Sequence, residues 1–323
     1  MTNILVTGGT GFLGSALVKK LINKNNKVFI FDNNFRGNLK NIENLEKKIK
    51  FIKGDIRNPN LINNALKGID VVYHLAFING TSNFYKSPKL VLDVGIRGTL
   101  NLMDSINKNK SIKKFIYASS SEVYQNPYSF PTKEEVDIKM SNTFNPRYSY
   151  ASSKILGEVM TYNYLRNDLK KFIFRPHNIY GPCMGFEHVI PETIKKIYLA
   201  SNKLKNKNIT INIQGSGKET RSFCYIDDAT DGICLIGQKG KNNEIYNLGK
   251  NDEITILNLI KIASKLLQIN INVKKKKLKL GSTKRRVPNI NKLKKLGYRP
   301  KTSLKDGLKT TIEWYINYFR KNV

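Results

Sequence analysis

Two side chains four residues apart, Tyr150 and Lys154, open the chemical reading of this 323-residue chain. In the run YSYASSKILGE (148–158) they share one face of a helix, because positions i and i+4 are neighbours there. An ammonium beside a phenol favours phenolate and lowers the tyrosine pKa. That makes a base able to take a proton from an alcohol while hydride leaves the same carbon. Tyr148 lies two residues away and would face differently, so Tyr150 is the better candidate. Ser120, in YASSSEVY (117–124), stands at the end of a strand-like run, where its hydroxyl could hold the reacting oxygen. The hydride needs an acceptor, and TGGTGFLG (7–14) offers a place for one, with Gly8, Gly11 and Gly14 at GxxGxxG spacing. Glycine lets the chain turn sharply from strand to helix and approach a pyrophosphate without an intervening Cβ. The helix entered through Phe12 and Leu13 would aim its free amides and positive dipole end at the phosphates. Asp32 closes the next strand about 20 residues on, where a carboxylate bonds the adenosine ribose and repels a 2′-phosphate. NAD is therefore expected over NADP, with Arg36 as the nearest opposing charge.

These groups need a scaffold that brings strand ends and helix starts together. Short runs rich in β-branched and aromatic residues occur at Ile4–Thr7, Val28–Phe31, Lys50–Lys53, Val71–Leu75, Phe115–Ala118 and Phe172–Arg175. Helical patterns lie between them, the clearest being Phe12, Leu13, Ala16, Leu17 and Leu21. Strand–helix alternation of this kind predicts an α/β fold, a doubly wound parallel sheet covered on both faces. After Arg175 the pattern is broken by Pro176, Gly181, Pro182, Gly185 and Pro191, and a final amphipathic helix is expected around Leu308–Phe319. The division predicted is a cofactor-binding domain at 1–178 and a smaller α+β substrate domain at 179–323, with Glu244–Leu248 able to return to the main sheet.

Composition bounds the answer from the other side. No apolar run is long enough to span a bilayer, and the N-terminus enters a strand directly, so a cytoplasmic location without membrane association is expected. The three cysteines and three histidines have neither disulfide-framework nor metal-ligand spacing, so no metal is expected. The net charge of +32 raises nucleic-acid binding as a second class of function. The lysines are spread along the chain and are not interleaved with aromatics, which argues against it. The densest run, Lys274–Lys277 with Lys279, reads as an exposed edge strand, where lysine discourages aggregation.

With these elements in place, the chain resembles the extended short-chain dehydrogenase/reductase family, in its nucleotide-sugar epimerase/dehydratase branch. The resemblance runs nearly the whole length through LVTGGTGFLG, KGDIRN, VVYHLAF, YASSSEVY, YSYASSK, RPHNIYGP, RSFCYIDDATDG, YNLG and the tail KRRVPN…LGYRPKTSLKDGLKTTIEWY. It implies a Rossmann fold and further roles. Asp55 and Ile56 would lie against the adenine, and Leu75, Ala76 and Phe77 would line the NAD ribose and nicotinamide. Ser120, Tyr150 and Lys154 would be the catalytic trio. Asn178, Arg221 and one of Arg285 or Arg286 would contact the substrate diphosphate, with Arg286 preferred and His177 beside the sugar. Glu122 occupies a position where dehydratases and decarboxylases of the family often have glutamate. Ser121 stands where the nucleotide-glucose 4,6-dehydratases usually have an acidic aspartate, which weakens dehydration. Gly95 replaces a common asparagine, Gln125 a usual glycine, and INGTSNFY (78–85) is unusual. The implied reaction is C4 oxidation of a nucleotide-sugar by NAD, with 4-epimerisation leading and 4,6-dehydration or uronate decarboxylation as rivals. The family also implies a homodimer, through Val91, Val94, Leu100, Met103 and Ile106 on one helix and Leu156, Met160 and Tyr164 on another.

Overall fold

A computed structural model describes residues 1–22, 24, 26–138, 140, 142–277 and 283–322. Each of the six expected runs is a strand: β1 (Asn3–Thr7), β2 (Lys27–Asp32), β3 (Ile49–Lys53), β4 (Val71–His74), β5 (Lys114–Ala118) and β6 (Lys170–Pro176). The strands that follow are β7 (Ile179–Tyr180), β8 (Asn208–Gln214), β9 (Thr220–Ser222), β10 (Cys224–Tyr225), β11 (Glu244–Leu248), β12 (Glu253–Thr255), β13 (Asn270–Lys276) and β14 (Arg285–Arg286).

The main sheet has seven strands in the order β11-β6-β5-β4-β1-β2-β3. Every pairing in it is parallel. Its strands read as near-continuous apolar runs because both faces are covered. Ile4, Val6, Val28 and Ile30 face one side, where they meet Leu17, Val18 and Leu21 of helix Phe12–Ile22. Leu5, Phe31 and Val72 face the other, with Leu102, Met103 and Ile106 of helix Thr99–Lys108. The strand order reverses between β1 and β4, and there the carboxyl ends of the strands open a crevice that suits ligands. Buried His74 locks this point, its Nδ1 2.7 Å from Thr7 Oγ1 and its Nε2 3.1 Å from Thr99 Oγ1.

The chain after β6 visits both halves of the molecule. β11 pairs with β6 at the sheet edge, and helix Ile226–Lys239 packs beside helix Phe12–Ile22. A third apolar core gathers helices Val189–Ala200, Ile256–Leu267 and Leu304–Asn322 around β8 and β13. Among the described residues β13 pairs with no strand but β8, so Lys274–Lys276 lie on an exposed edge as expected, Lys279 lying outside the described residues. No helix among the described residues is long and apolar enough to cross a membrane.

Helix Tyr148–Asn163 carries Tyr150 and Lys154 and is pinned to the sheet by a buried ion pair. Glu158 accepts from Arg175 Nε at 2.8 Å and Nη2 at 2.6 Å, and also from the Ser119 hydroxyl. Arg175 further donates to the Tyr124 hydroxyl and the Glu134 carbonyl, so the charge is fully satisfied inside the protein.

Candidate active site

At the reversal point lies a cleft of about 870 Å³, and every residue expected to touch the cofactor lines it. These are Gly8, Gly11, Phe12, Leu13, Gly14, Asp32, Asp55, Ile56, Leu75, Ala76, Phe77, Tyr150 and Lys154. Gly8 has φ +74, and a Cβ there would lie 2.7 Å from the Ala76 amide, so glycine is required for the turn. The amides of Phe12, Leu13 and Gly14 find no backbone acceptor among the described residues, which leaves donors at the cleft floor for a pyrophosphate. Asp32 accepts the Thr10 amide at 3.0 Å and the Asn34 amide at 2.8 Å, which fixes the carboxylate on the cleft wall at the end of β2. Asp55 is bound by Arg57 and Asn33, and Arg57 first among its partners holds it down at about 2. The residues present therefore fit NAD, which supplies a hydride acceptor when bound.

Tyr150 is buried at the inner end of this cleft. Its ring stacks on Phe84, with centroids 4.7 Å apart, and meets the edge of Phe77 at 5.9 Å. Lys154 departs from the expected arrangement. Its Nζ sits 3.2 Å from the Phe77 centroid, donates to the Ala118 carbonyl, and is 5.7 Å from the centroid of the Tyr150 ring. Burial pushes the Tyr150 phenol up and the Lys154 amine well down, so the expected lowering of the tyrosine by lysine is not realised. Ser120, Arg36 and Arg286 favour phenolate against that burial, and Glu122 opposes it. Gly95 makes room for the Phe77 ring: a Cβ there would stand 2.8 Å from Phe77 and from Ser153.

A second group adjoins the cleft without lining it. Ser120 caps the turn Ser121–Tyr124 by accepting the Glu122 amide at 3.1 Å. The chain leaves that turn at Gln125 with φ +53, a geometry that suits the family's usual glycine. Glu122 meets Arg286 at 2.8 Å and Arg147 at 3.5 Å. Burial alone would raise the Glu122 carboxyl, but Arg286, Arg147 and Arg221 hold it at about 2. The β14–β9 register sets Arg286 opposite Arg221, and successive strand residues point to opposite faces. Arg285 accordingly turns away to a paired contact with Glu253, which separates the two candidates. Arg221 is held by the carbonyls of Thr220, Thr283 and Lys284, and burial followed by the Arg286 charge lowers it to about 10.

Two expected substrate contacts are engaged elsewhere. Asn178 donates to the Ser222 carbonyl at 3.0 Å. His177 is 1% exposed, its Nε2 lies 3.0 Å from Asn247 Oδ1, and burial lowers it to about 3. In this conformation its ring is neutral and turned into the protein just after β6. Arg147 and His188 escaped the sequence reading, Arg36 was noticed only for cofactor choice, and Phe84 only as part of the unusual INGTSNFY segment. Arg147 was findable, since it precedes Tyr150 by three and so shares its side of the helix start. His188 carried no such signal, and packing of the segment before helix Val189–Ala200 brings it in.

Residues 4–249 match the NAD dependent epimerase/dehydratase family. The UDP-N-acetyl-alpha-D-glucosaminuronate decarboxylase of Bacillus cytotoxicus is 32% identical over 321 residues, covering 96% of this chain and 97% of that protein. A UDP-glucose 4-epimerase of Thermotoga maritima, solved with UDP-glucose, superposes with TM-score 0.87 at 27% identity, covering 98% of this chain and all of that one. A UDP-glucuronic acid 4-epimerase of Bacillus cereus, solved with UDP-4-deoxy-4-fluoro-glucuronic acid and NAD, gives TM-score 0.86 at 29% identity, covering 98% of this chain and 100% of that one. The chain belongs to the NAD dependent epimerase/dehydratase family. It is an NAD-dependent enzyme of a group whose members remodel the sugar of nucleotide-sugars.

Proposed function

We propose that the substrate is a nucleotide-linked uronate, and that oxidation at C4 is followed by loss of the sugar carboxylate as carbon dioxide. One observation carries this reading: three arginines, Arg147, Arg221 and Arg286, converge on the single carboxylate of Glu122 beside Tyr150. Arg221 and Arg286 answer to a diphosphate, since guanidinium forks pair with phosphate oxygens. Arg147 is then a further cation, at the residue that caps the helix bearing Tyr150, placed for a sugar carboxylate. Glu122, held at about 2, is ionised at neutral pH and has no proton to give a leaving hydroxyl, and neighbouring Ser121 is no acid either. Loss of carbon dioxide needs no such acid. A ketone at C4 takes up the electron pair as the bond to the carboxyl carbon breaks, a proton takes the place of the carboxylate at C5, and return of the hydride and of the Tyr150 proton to C4 leaves a pentose and restores NAD.

In this reading Tyr150 exchanges the C4 hydroxyl proton, Ser120 holds that oxygen, and Lys154 anchors the Phe77 wall. Residues 1–178 with β11 hold NAD, and 179–323 supply most of the diphosphate clamp. The relative from Bacillus cytotoxicus, named as a uronate decarboxylase, supports the proposal. The decisive experiment is incubation of the NAD-loaded enzyme with UDP-glucuronate and with UDP-glucose, followed by proton NMR and trapping of carbon dioxide. A pentose product from UDP-glucuronate is expected. Interconversion at C4 without gas release would instead favour the 4-epimerase, whose requirements Tyr150 and Ser120 also meet.

The assembly proposed is a homodimer. Val91, Val94, Met103 and Ile106 lie in the chain's own core, but Leu92, Leu156, Val159 and Tyr164 stay 36–50% exposed on neighbouring helices. A monomer in sedimentation at micromolar concentration would count against it. A cytoplasmic location accompanies the proposal and suits the three free thiols, Cys183, Cys224 and Cys234.

A further inference from the structure

A cluster at the mouth of the cleft joins its two sides. Glu187 reaches back from the segment preceding helix Val189–Ala200 to three residues of the cofactor-binding half. It meets Arg36 at 3.6 Å, accepts the Ser82 hydroxyl, and lies 3.4 Å from Asn83 Nδ2. Ser82 and Asn83 belong to the short helix Thr81–Lys86, whose Phe84 is buried and stacks on Tyr150 with an interplanar angle of 16°. Two glycines clear the path. A Cβ on Gly80 would overlap the Glu187 carboxylate and stand 2.7 Å from Arg36 Nη1, and one on Gly185 would stand 3.3 Å from Arg36 Nη2. Gly80 also has φ +110, a conformation that a side chain would strain.

We infer that Glu187 is a positioning residue. By joining Arg36, Ser82 and Asn83 across the cleft it fixes Phe84 against Tyr150, and so couples seating of the substrate-binding half to placement of the phenol. The inference rests on the proposed role of Tyr150. It accounts for the unusual INGTSNFY segment, which supplies Gly80, Ser82, Asn83 and Phe84. It also gives Arg36 a task other than selection at the adenosine ribose.

The charged and titratable groups facing Tyr150 come from several elements. They are Lys154 on its own helix, Glu122 on the turn after β5, Arg286 on β14, Tyr117 on β5 and Arg36 after β2. His188 shares the field of Arg36 and Glu122 and is lowered to about 4 by burial, so it stays neutral through the working range. Arg36 favours phenolate, so its release on opening the clasp moves the ionisation of Tyr150 upward.

The test is Glu187→Gln in the NAD-loaded enzyme. Turnover is followed with UDP-glucuronate and UDP-glucose, and phenolate by ultraviolet difference titration against Tyr150→Phe. The kcat should fall by about tenfold to a hundredfold, the usual consequence of a small misplacement, with KM largely kept. The acid limb of the pH profile, where the phenolate base takes up its proton, and the Tyr150 titration should both move up. Arg36→Met should repeat that shift, and Arg36→Lys, which keeps the charge, should not. Unchanged titration and kcat in Glu187→Gln would overturn the inference, as would a lowered melting temperature accompanied by an unmoved limb. If Tyr150→Phe itself retains turnover, the proposed function fails instead.

Discussion

Replacement of Arg147 by methionine separates a sugar carboxylate from a neutral sugar. Of the two guanidinium groups in contact with Glu122, that of Arg147 is the more loosely held, at 3.5 Å against 2.8 Å for Arg286. It is therefore the one a substrate carboxylate can divert. A hydrogen bond to a charged group contributes about 1.5–3 kcal/mol, and about 1.4 kcal/mol is a factor of ten, so the loss in kcat/KM for UDP-glucuronate should be about ten- to 150-fold. UDP-glucose has no carboxylate to lose. The variant should affect it only through Glu122, which keeps Arg286 and stays ionised at neutral pH. Steady-state kinetics on both nucleotides, with NAD saturating and folding checked by circular dichroism, gives the ratio directly. Equal losses on both substrates, or none on the uronate, would refute the assignment of Arg147 to the sugar carboxylate.

Tyr150→Phe should lower kcat by about two to four orders of magnitude, as expected for a lost acid–base group, while the melting temperature holds. Glu158→Gln leaves Arg175 buried without its carboxylate and should cost about 3–5 kcal/mol in urea unfolding. A loss below about 1 kcal/mol, the worth of an exposed pair, would show that the pair is not buried in solution. Asp32→Ala should relax the preference for NAD over NADP, and an unchanged ratio of the two kcat/KM values would remove Asp32 from the ribose site. Glu122 and Asp55 are both held at about 2, below the ordinary carboxylate range. Their contribution to stability is fully present above about pH 5, beyond the ordinary carboxylate range, and is lost progressively as pH falls toward 2. Glu122→Gln should flatten part of that acid transition in a pH series of thermal melts.

Local signals carried the cofactor half a long way. The glycine turn, Asp32 and the six apolar runs are each determined within a few residues, by backbone conformation and by burial on both faces of a parallel sheet. That is why every expected cofactor residue lines the cleft. The side chains beyond the turn were less legible, because their direction depends on neighbours far away in the chain. His177 had the right place in the sequence, yet its ring is turned inward by Asn247, 70 residues later. Arg285 and Arg286 could not be told apart until β14 paired with β9 and gave them opposite faces.

The amino-acid sequence by itself determined the doubly wound sheet, the NAD cradle and the Tyr150/Lys154 helix, since periodicity and glycine spacing act over short range. The tertiary structure alone decided which charges meet. It gathered Arg147, Arg221 and Arg286 around Glu122, drew Lys154 from the phenol to Phe77, and set Glu187 across the cleft. Coulombic and stacking contacts depend on distances of a few ångströms between segments up to 164 positions apart, and only the packed fold sets those distances.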